Sequence, residues 1–301
     1  MNKIAFVFPG QGTQYIGMGK ELYENNELAK NEFDKIFSSL DIDLKSVMFE
    51  GTEEELKDTK NTQPAIVAMS LVLEKLLRAK GIVPDYVAGH SVGEYAAIGS
   101  AGFLSMEDAV KLTSLRGKAM SEVSAKVSGS MAAIIGMESD KIVELLKTIS
   151  GIVEAVNFNE PKQTVIAGEK EAITNACVLL KENGARRAME LAVSGPFHSS
   201  LMKPAGDILK EELNNFNFKD SEIPLIGNTT ATEIKTVDLL KDELYNQSFG
   251  PVKWVETIRN LKNLGVTKIY EIGPGKVLNG LIKKIDKEIE VINIEKLEDL
   301  N

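Results

Sequence analysis

Residues 89–93 read Gly89-His90-Ser91-Val92-Gly93, a G-x-S-x-G pattern set between a short apolar run, Val83 to Ala88, and a small-residue stretch, Glu94 to Ala101. A strand, a tight turn and a helix in that order lift a serine hydroxyl clear of a sheet, and the flanking glycines leave room where a Cβ would clash. The helix that follows aims its first N–H groups at the place where an oxyanion would form. The chemistry implied is attack on a carbonyl, with an acyl ester on Ser91 as the intermediate.

A serine nucleophile needs a base, and the chain holds two histidines. His90 adjoins Ser91 in the turn. Adjacent side chains diverge, so its ring is expected to pack beneath the elbow. His198 is the base by elimination. It lies in Ser194-Gly195-Pro196-Phe197-His198-Ser199-Ser200, ahead of an apolar-periodic helix that Ser199 or Ser200 would cap. A third group should orient the base. In the order Ser-Asp-His that acid would fall between residues 91 and 198. Candidates such as Asp140 and Glu160 fall in a segment read below as an insert, so no carboxylate triad is evident. A backbone or side-chain carbonyl is the alternative.

Five of the 35 basic residues are arginines. Arg116 shares a helical stripe with Ala109, Leu112, Ala119 and Met120, so it points inward with the apolar residues. A buried guanidinium must face a carboxylate, either the protein's own or one on a ligand. The second possibility implies an acyl group carrying its own carboxylate.

These residues need a scaffold. Residues 3–8 read as a buried strand. A helix follows over 63–80, with Pro64 near its start and Gly81 past its end, and another over 105–122, with Ser105 as N-cap. Gly10-Gln11-Gly12 is no dinucleotide fingerprint, because Tyr15 stands where the third glycine belongs. From 130 to 191 the pattern is β-α-β-β-α-β, the ferredoxin-like order. From Val193 the main pattern resumes: a helix over about 200–214, a strand at 223–227, a helix over 252–263, a strand at 267–271, then a final helix and strand. The expected architecture is α/β: a parallel-sheet, α/β-hydrolase-like main domain (1–125 and 193–301) with an inserted ferredoxin-like subdomain (126–192). The 301 residues suffice for a large core, and a net charge of −9 argues against a nucleic-acid or anionic-membrane binder. The single cysteine, Cys177, excludes an intrachain disulfide and a cysteine metal cluster. With no signal-peptide pattern or span of membrane length, a cytoplasmic protein is expected.

The chain resembles the family of malonyl-CoA:acyl carrier protein transacylases, bacterial enzymes of fatty-acid synthesis, nearly end to end. The resemblance rests on Phe8-Pro9-Gly10-Gln11-Gly12, Gly89-His90-Ser91-Val92-Gly93-Glu94, Arg116-Gly117 and Gly129-Ser130-Met131-Ala132-Ala133-Ile134. It continues through Asn157-x-Asn159-x-Pro161, Gly195-Pro196-Phe197-His198-Ser199, Asn246-Gln247 and Glu271-Ile272-Gly273-Pro274-Gly275. It implies a ping-pong transfer of malonyl from malonyl-CoA, through an ester on Ser91, to the phosphopantetheine thiol of holo acyl carrier protein. His198 is then the base, and the main-chain carbonyl of Gln247 its orienter. The N–H groups of Gln11 and Val92 form the oxyanion hole, and Arg116 pairs with the malonyl carboxylate. Met120, Met131, Asn159 and Phe197 line the pocket, with Phe197 favouring malonyl over methylmalonyl. The resemblance implies no cofactor and no metal. The expected partners are malonyl-CoA, CoA and an acidic carrier protein, on a monomer. Because this chain is itself acidic, a local basic rim is expected for docking, at Lys276, Lys283, Lys284 and Lys287 or at Arg186 and Arg187.

Overall fold

The computed structural model describes residues 2–301. Its strands are β1 (Lys3–Phe8), β2 (Tyr86–Gly89), β3 (Gly129–Ile135), β4 (Val153–Glu160), β5 (Gln163–Glu169), β6 (Arg187–Glu190), β7 (Leu225–Ile226), β8 (Glu233–Ile234), β9 (Val266–Ile272) and β10 (Glu290–Ile294). They form two sheets within a mixed α/β fold.

The larger sheet runs β10-β9-β1-β2-β7-β8, parallel throughout except for the last pair. Strand β1 reads Lys3-Ile4-Ala5-Phe6-Val7-Phe8, and alternation sends its residues to opposite faces. Phe6 and Phe8 join a core with Ile66, Leu71, Tyr95, Ile98 and Leu112, from the helices Thr59–Ala79, Gly93–Ala101 and Met106–Ser124. Ala5 and Val7 join a second core with Trp254, Ile258 and Ile282, from the helices Trp254–Asn263 and Val277–Ile285. A sheet buried on both faces explains the near-continuous apolar run.

Residues 129–190 build the smaller sheet, in the order β4-β5-β3-β6 and antiparallel at each pairing. One face carries the helices Ser139–Leu146 and Lys170–Glu182 over Ile134, Ile142, Ile166, Ile173 and Cys177. On the other, Met131, Val165 and Ala167 meet Met120, Phe197 and Met202. Backbone bonds join the two parts: Phe158 N–H donates to the Val252 carbonyl (2.9 Å) and Val252 N–H to the Val156 carbonyl (2.7 Å).

Several local expectations change. The helix expected over 63–80 begins at Thr59, where the Asp58 side chain accepts from Lys60 N–H and Pro64 is carried inside. Neither Ser199 nor Ser200 caps the helix Lys203–Glu212 through its side chain. The chain enters that helix through a 3-10 turn, and the Ser199 hydroxyl bonds back to Pro196 instead. Four helices between Lys20 and Lys57, and the helix Val237–Gln247, add to the elements expected from sequence.

Candidate active site

Ser91 occupies the tip of the turn between β2 and the helix Gly93–Ala101, with φ at 52°, a left-handed conformation that side chains disfavour. A Cβ on Gly89 would lie 2.0 Å from the Gly93 carbonyl carbon, and one on Gly93 would lie 2.1 Å from the Phe8 carbonyl oxygen. The turn can therefore press against the end of β1. That contact brings the loop after β1 alongside Ser91. The loop is held by Thr13 Oγ1 donating to the Gly10 carbonyl (2.9 Å) and Gln11 Nε2 donating to Thr59 Oγ1 (3.2 Å). Neither the Gln11 nor the Val92 backbone N–H donates to another described residue.

His198 lies opposite, in a turn closed by Ser199, whose N–H (3.2 Å) and hydroxyl (2.7 Å) both donate to the Pro196 carbonyl. Its own φ is 67°. Its Nε2 is 2.7 Å from Ser91 Oγ, while Nδ1 faces the main-chain carbonyls of Gln247 (2.9 Å) and Gly250 (3.2 Å). Two carbonyl oxygens can only accept, so Nδ1 carries the proton and the Nε2 lone pair faces the serine hydroxyl. Of the two alternatives for the third group, the structure uses a backbone carbonyl. Burial, reinforced by the Arg116 charge and opposed by the two carbonyls, pushes the His198 pKa down to about 3. The imidazole is thus neutral near pH 7.

Arg116 is fully buried. Its Nη1 donates to Gln63 Oε1 (2.8 Å), and its Nη2 to Gln247 Oε1 (2.9 Å) and, at 3.5 Å, to Ser91 Oγ. Its guanidinium carbon lies 5.3 Å from the Tyr95 ring centroid, and Nε has no partner among the described residues. Amide oxygens, and no carboxylate of the described residues, meet the two terminal nitrogens. Burial pulls the guanidinium's pKa down, with Tyr95 and Glu94 opposing. Gln247 ties the parts together: its side-chain Nε2 also donates to the Ser91 carbonyl (2.7 Å).

These groups adjoin a cavity of about 840 Å³. Gln11, Gln63, Ser91, Met120, Met131, Phe197 and His198 line it, with Glu54, Lys57 and Asp58 also in its wall. Asn159 departs from expectation. It does not line the cavity; its Oδ1 lies 2.7 Å from His90 Nε2. Asn157 takes the place in the wall. Strand β4 is irregular on both sides of Asn157, which gives the two asparagines different surroundings. His90 also meets Trp254 edge-on, with centroids 5.6 Å apart, and makes no bond to the serine hydroxyl. Among the described residues no cluster of three His, Cys, Asp or Glu side chains is placed to hold a metal.

Residues 5–295 match the acyl transferase domain family. The malonyl CoA-acyl carrier protein transacylase of Bacillus subtilis (strain 168) is 44% identical over 303 residues, covering all of this chain and 96% of the relative. That of Staphylococcus aureus (strain MRSA252) is 40% identical, over all of this chain and 98% of the relative. The chain belongs to the malonyl CoA-acyl carrier protein transacylase family. Solved structures agree. The transacylase of Clostridium perfringens ATCC 13124 superposes with a TM-score of 0.95 at 38% identity, over 99% of this chain and 95% of that one. A malonyl-transacylase in complex with its type II PKS acyl-carrier protein gives 0.95 at 38%, over 99% and 98%.

Within this transacylase fold, three buried polar residues stand beside those expected from sequence. Gln63 holds Arg116, Asn228 bonds the Ser91 backbone, and Glu94 accepts from Asn228 N–H (2.9 Å). Burial and the nearby Glu243 raise the Glu94 carboxyl well above the usual carboxylate range. Gln63 and Glu94 carry a sequence signal of the kind that marks Arg116, a polar residue within an apolar or small-residue helix.

Proposed function

We propose that this protein is an acyltransferase that carries malonyl from malonyl-CoA to the phosphopantetheine thiol of holo acyl carrier protein, through a malonyl ester on Ser91. The observation that carries this reading is the 2.7 Å contact between Ser91 Oγ and a neutral His198, with a buried Arg116 beside it that no carboxylate of the described residues pairs.

As Ser91 Oγ attacks the thioester carbonyl, His198 Nε2 takes its proton. The developing oxyanion is met by the Gln11 and Val92 N–H groups. Collapse breaks the carbon–sulfur bond, and His198 returns the proton to the departing CoA sulfur. In the second half the carrier thiol gives its proton to His198 and attacks the ester. Ser91 then leaves and recovers the proton. Arg116 holds the malonyl carboxylate as a fork would. Met120, Met131 and Phe197 shape the wall around the acyl chain, and Asn159 acts indirectly, through His90.

The strand order β4-β5-β3-β6, with a helix after the first and third of these strands in chain order, supports reading 126–192 as a ferredoxin-like subdomain inserted in an α/β-hydrolase-like domain. No helix of the described residues is long and apolar enough to cross a membrane; a cytoplasmic location and a monomeric state are part of the proposal. A rim of Lys276, Lys283, Lys284 and Lys287, or of Arg186 and Arg187, is the proposed landing site for the acidic carrier. Lys284 already faces Glu160 at 3.5 Å. The deciding experiment is intact-mass measurement with malonyl-CoA and with acetyl-CoA. The expected result is a malonyl adduct absent from Ser91→Ala and moved to holo carrier protein when that is added. Absence of an adduct in the parent, or its persistence in Ser91→Ala, overturns the reading.

A further inference from the structure

The serine turn is strained, and to its internal bonds, Gly93 N–H to the His90 carbonyl (2.9 Å) and Glu94 N–H to the Ser91 carbonyl (3.0 Å), distant residues add others. We infer that Asn228 is a positioning residue that clasps the turn across Ser91 and thereby fixes which backbone N–H remains for the oxyanion. This rests on Ser91 being the acylated residue.

Asn228 lies two residues beyond β7, the strand that neighbours β2, and is 1% exposed. Its carboxamide is used at both ends. Oδ1 accepts from Ser91 N–H (2.8 Å), and Nδ2 donates to the Gly89 carbonyl (2.6 Å). One planar group therefore spans the turn, two residues apart, and resists its opening. The backbone of Asn228 is itself fixed on both sides: its N–H donates to Glu94 Oε1 (2.9 Å), and Lys253 N–H donates to its main-chain carbonyl (2.9 Å). From the other side Gln247 Nε2 and Glu94 N–H donate to the Ser91 carbonyl. Both backbone groups of the left-handed Ser91 are thus pinned, which is what persistence of such a conformation requires.

The clasp has a chemical consequence. Occupied by Asn228, the Ser91 N–H cannot serve an oxyanion. The next N–H, that of Val92, is unbonded among the described residues and stands at the start of the helix. Loss of the clasp frees Ser91 to leave the left-handed region, which swings Oγ from His198. Binding of malonyl-CoA through Arg116 and the cavity wall does not depend on it.

The test follows malonyl-enzyme formation by intact mass under single-turnover conditions, with kcat and KM for malonyl-CoA, in Asn228→Ala and in Asn228→Leu, which keeps more of the volume. Both variants are expected to acylate at least 30-fold more slowly, with kcat falling in step and KM within threefold of the parent. Acylation within threefold of the parent overturns the clasp. So does a loss carried by KM, or one accounted for by the folded fraction from circular dichroism. A measurement on the parent does not depend on either variant folding: by NMR the Ser91 amide should exchange with solvent at least tenfold more slowly than that of Val92, and the reverse order overturns the assignment. Failure of the parent to form any Ser91 adduct removes the reading beneath the clasp, whereas a normal parent with unimpaired variants removes the clasp alone.

Discussion

Ser91 and His198 face each other with both backbones in the left-handed region, at φ of 52° and 67°, and 2.7 Å between Oγ and Nε2. Neither is a glycine, and each conformation costs about 1–2 kcal/mol. The two atoms therefore meet because two separate turns are held away from their relaxed states, that of Ser91 by Asn228 and Gln247 from elsewhere in the chain, and that of His198 by the local Ser199 bonds to the Pro196 carbonyl, with its ring held by the Gln247 and Gly250 carbonyls.

The strain at Ser91 can be read by comparing two inactive variants. Ser91→Ala and Ser91→Gly both lose the hydroxyl, but only the alanine keeps a Cβ at positive φ. Ser91→Gly should be the more stable by about 1 kcal/mol, measured by urea unfolding. Equal stabilities would mean that the turn relaxes when the hydroxyl is removed.

Because its pKa is pushed down to about 3, His198 stays neutral far below the pH at which an ordinary histidine protonates near 6.5. The rate of malonyl-enzyme formation should accordingly be flat from pH 8 to about pH 5, followed by rapid quench and mass. In Arg116→Leu the acid limb should move upward, since a neighbouring positive charge is removed. A parent limb near 6.5 would contradict the buried, neutral imidazole.

Arg116→Ala should lower kcat/KM for malonyl-CoA by about 10²-fold to several thousandfold, as expected when a charged pair of about 3–5 kcal/mol is lost. The value for acetyl-CoA should change far less. The substitution also leaves the Oε1 atoms of Gln63 and Gln247 without their donor, so a fall in stability of about 1–3 kcal/mol per stranded group should accompany it. An unchanged malonyl-to-acetyl ratio would exclude Arg116 as the carboxylate partner.

Glu271, at the end of β9, is buried and accepts from the N–H groups of Leu278 (2.9 Å) and Asn279 (2.6 Å) at the start of the helix Val277–Ile285. Burial raises its pKa from 4.5 to about 7, with the two N–H groups opposing. Between those values the folded protein binds more protons than the unfolded one. The stabilisation is thus full below pH 4.5 and is lost as pH rises through 7. The stability of the parent relative to Glu271→Gln should fall by about 3 kcal/mol across that window, by urea unfolding at successive pH values. Both histidines have lowered pKa values and act in the opposite sense, but they cancel in this difference.

The site was legible in sequence where a side chain carries its own signal. Ser91 showed through the spacing of its glycines, His198 through the scarcity of histidine, and Arg116 through an apolar helical stripe. A main-chain carbonyl has no such signature, so Gln247 as the orienter of His198 emerged only from family resemblance. Its helix was hidden for a related reason: the buried face of Val237–Gln247 is Leu240, Glu243, Leu244 and Gln247, half of it polar, which erases the hydrophobic period. Between Lys20 and Lys57 the caps Asn26, Asp43 and Thr52 mark three helix starts, but helices of 5 to 12 residues offer too few apolar repeats to stand out. The helix over Met106–Ser124 was legible at both levels, with its Ser105 cap and its long stripe.

The bond from Gln247 to the Ser91 carbonyl joins residues 156 positions apart, and β1 is completed on one side only when β9 has been made. During translation the serine turn therefore leaves the ribosome long before the carbonyl that aims its base or the amide that holds its cation. A nascent chain lacking this late segment carries the proposed nucleophile without the Gln247 contacts to Ser91, His198 and Arg116. Such long-range closure makes for slow folding, and it ties the completed constellation to the synthesis of a segment 156 residues downstream of the serine turn.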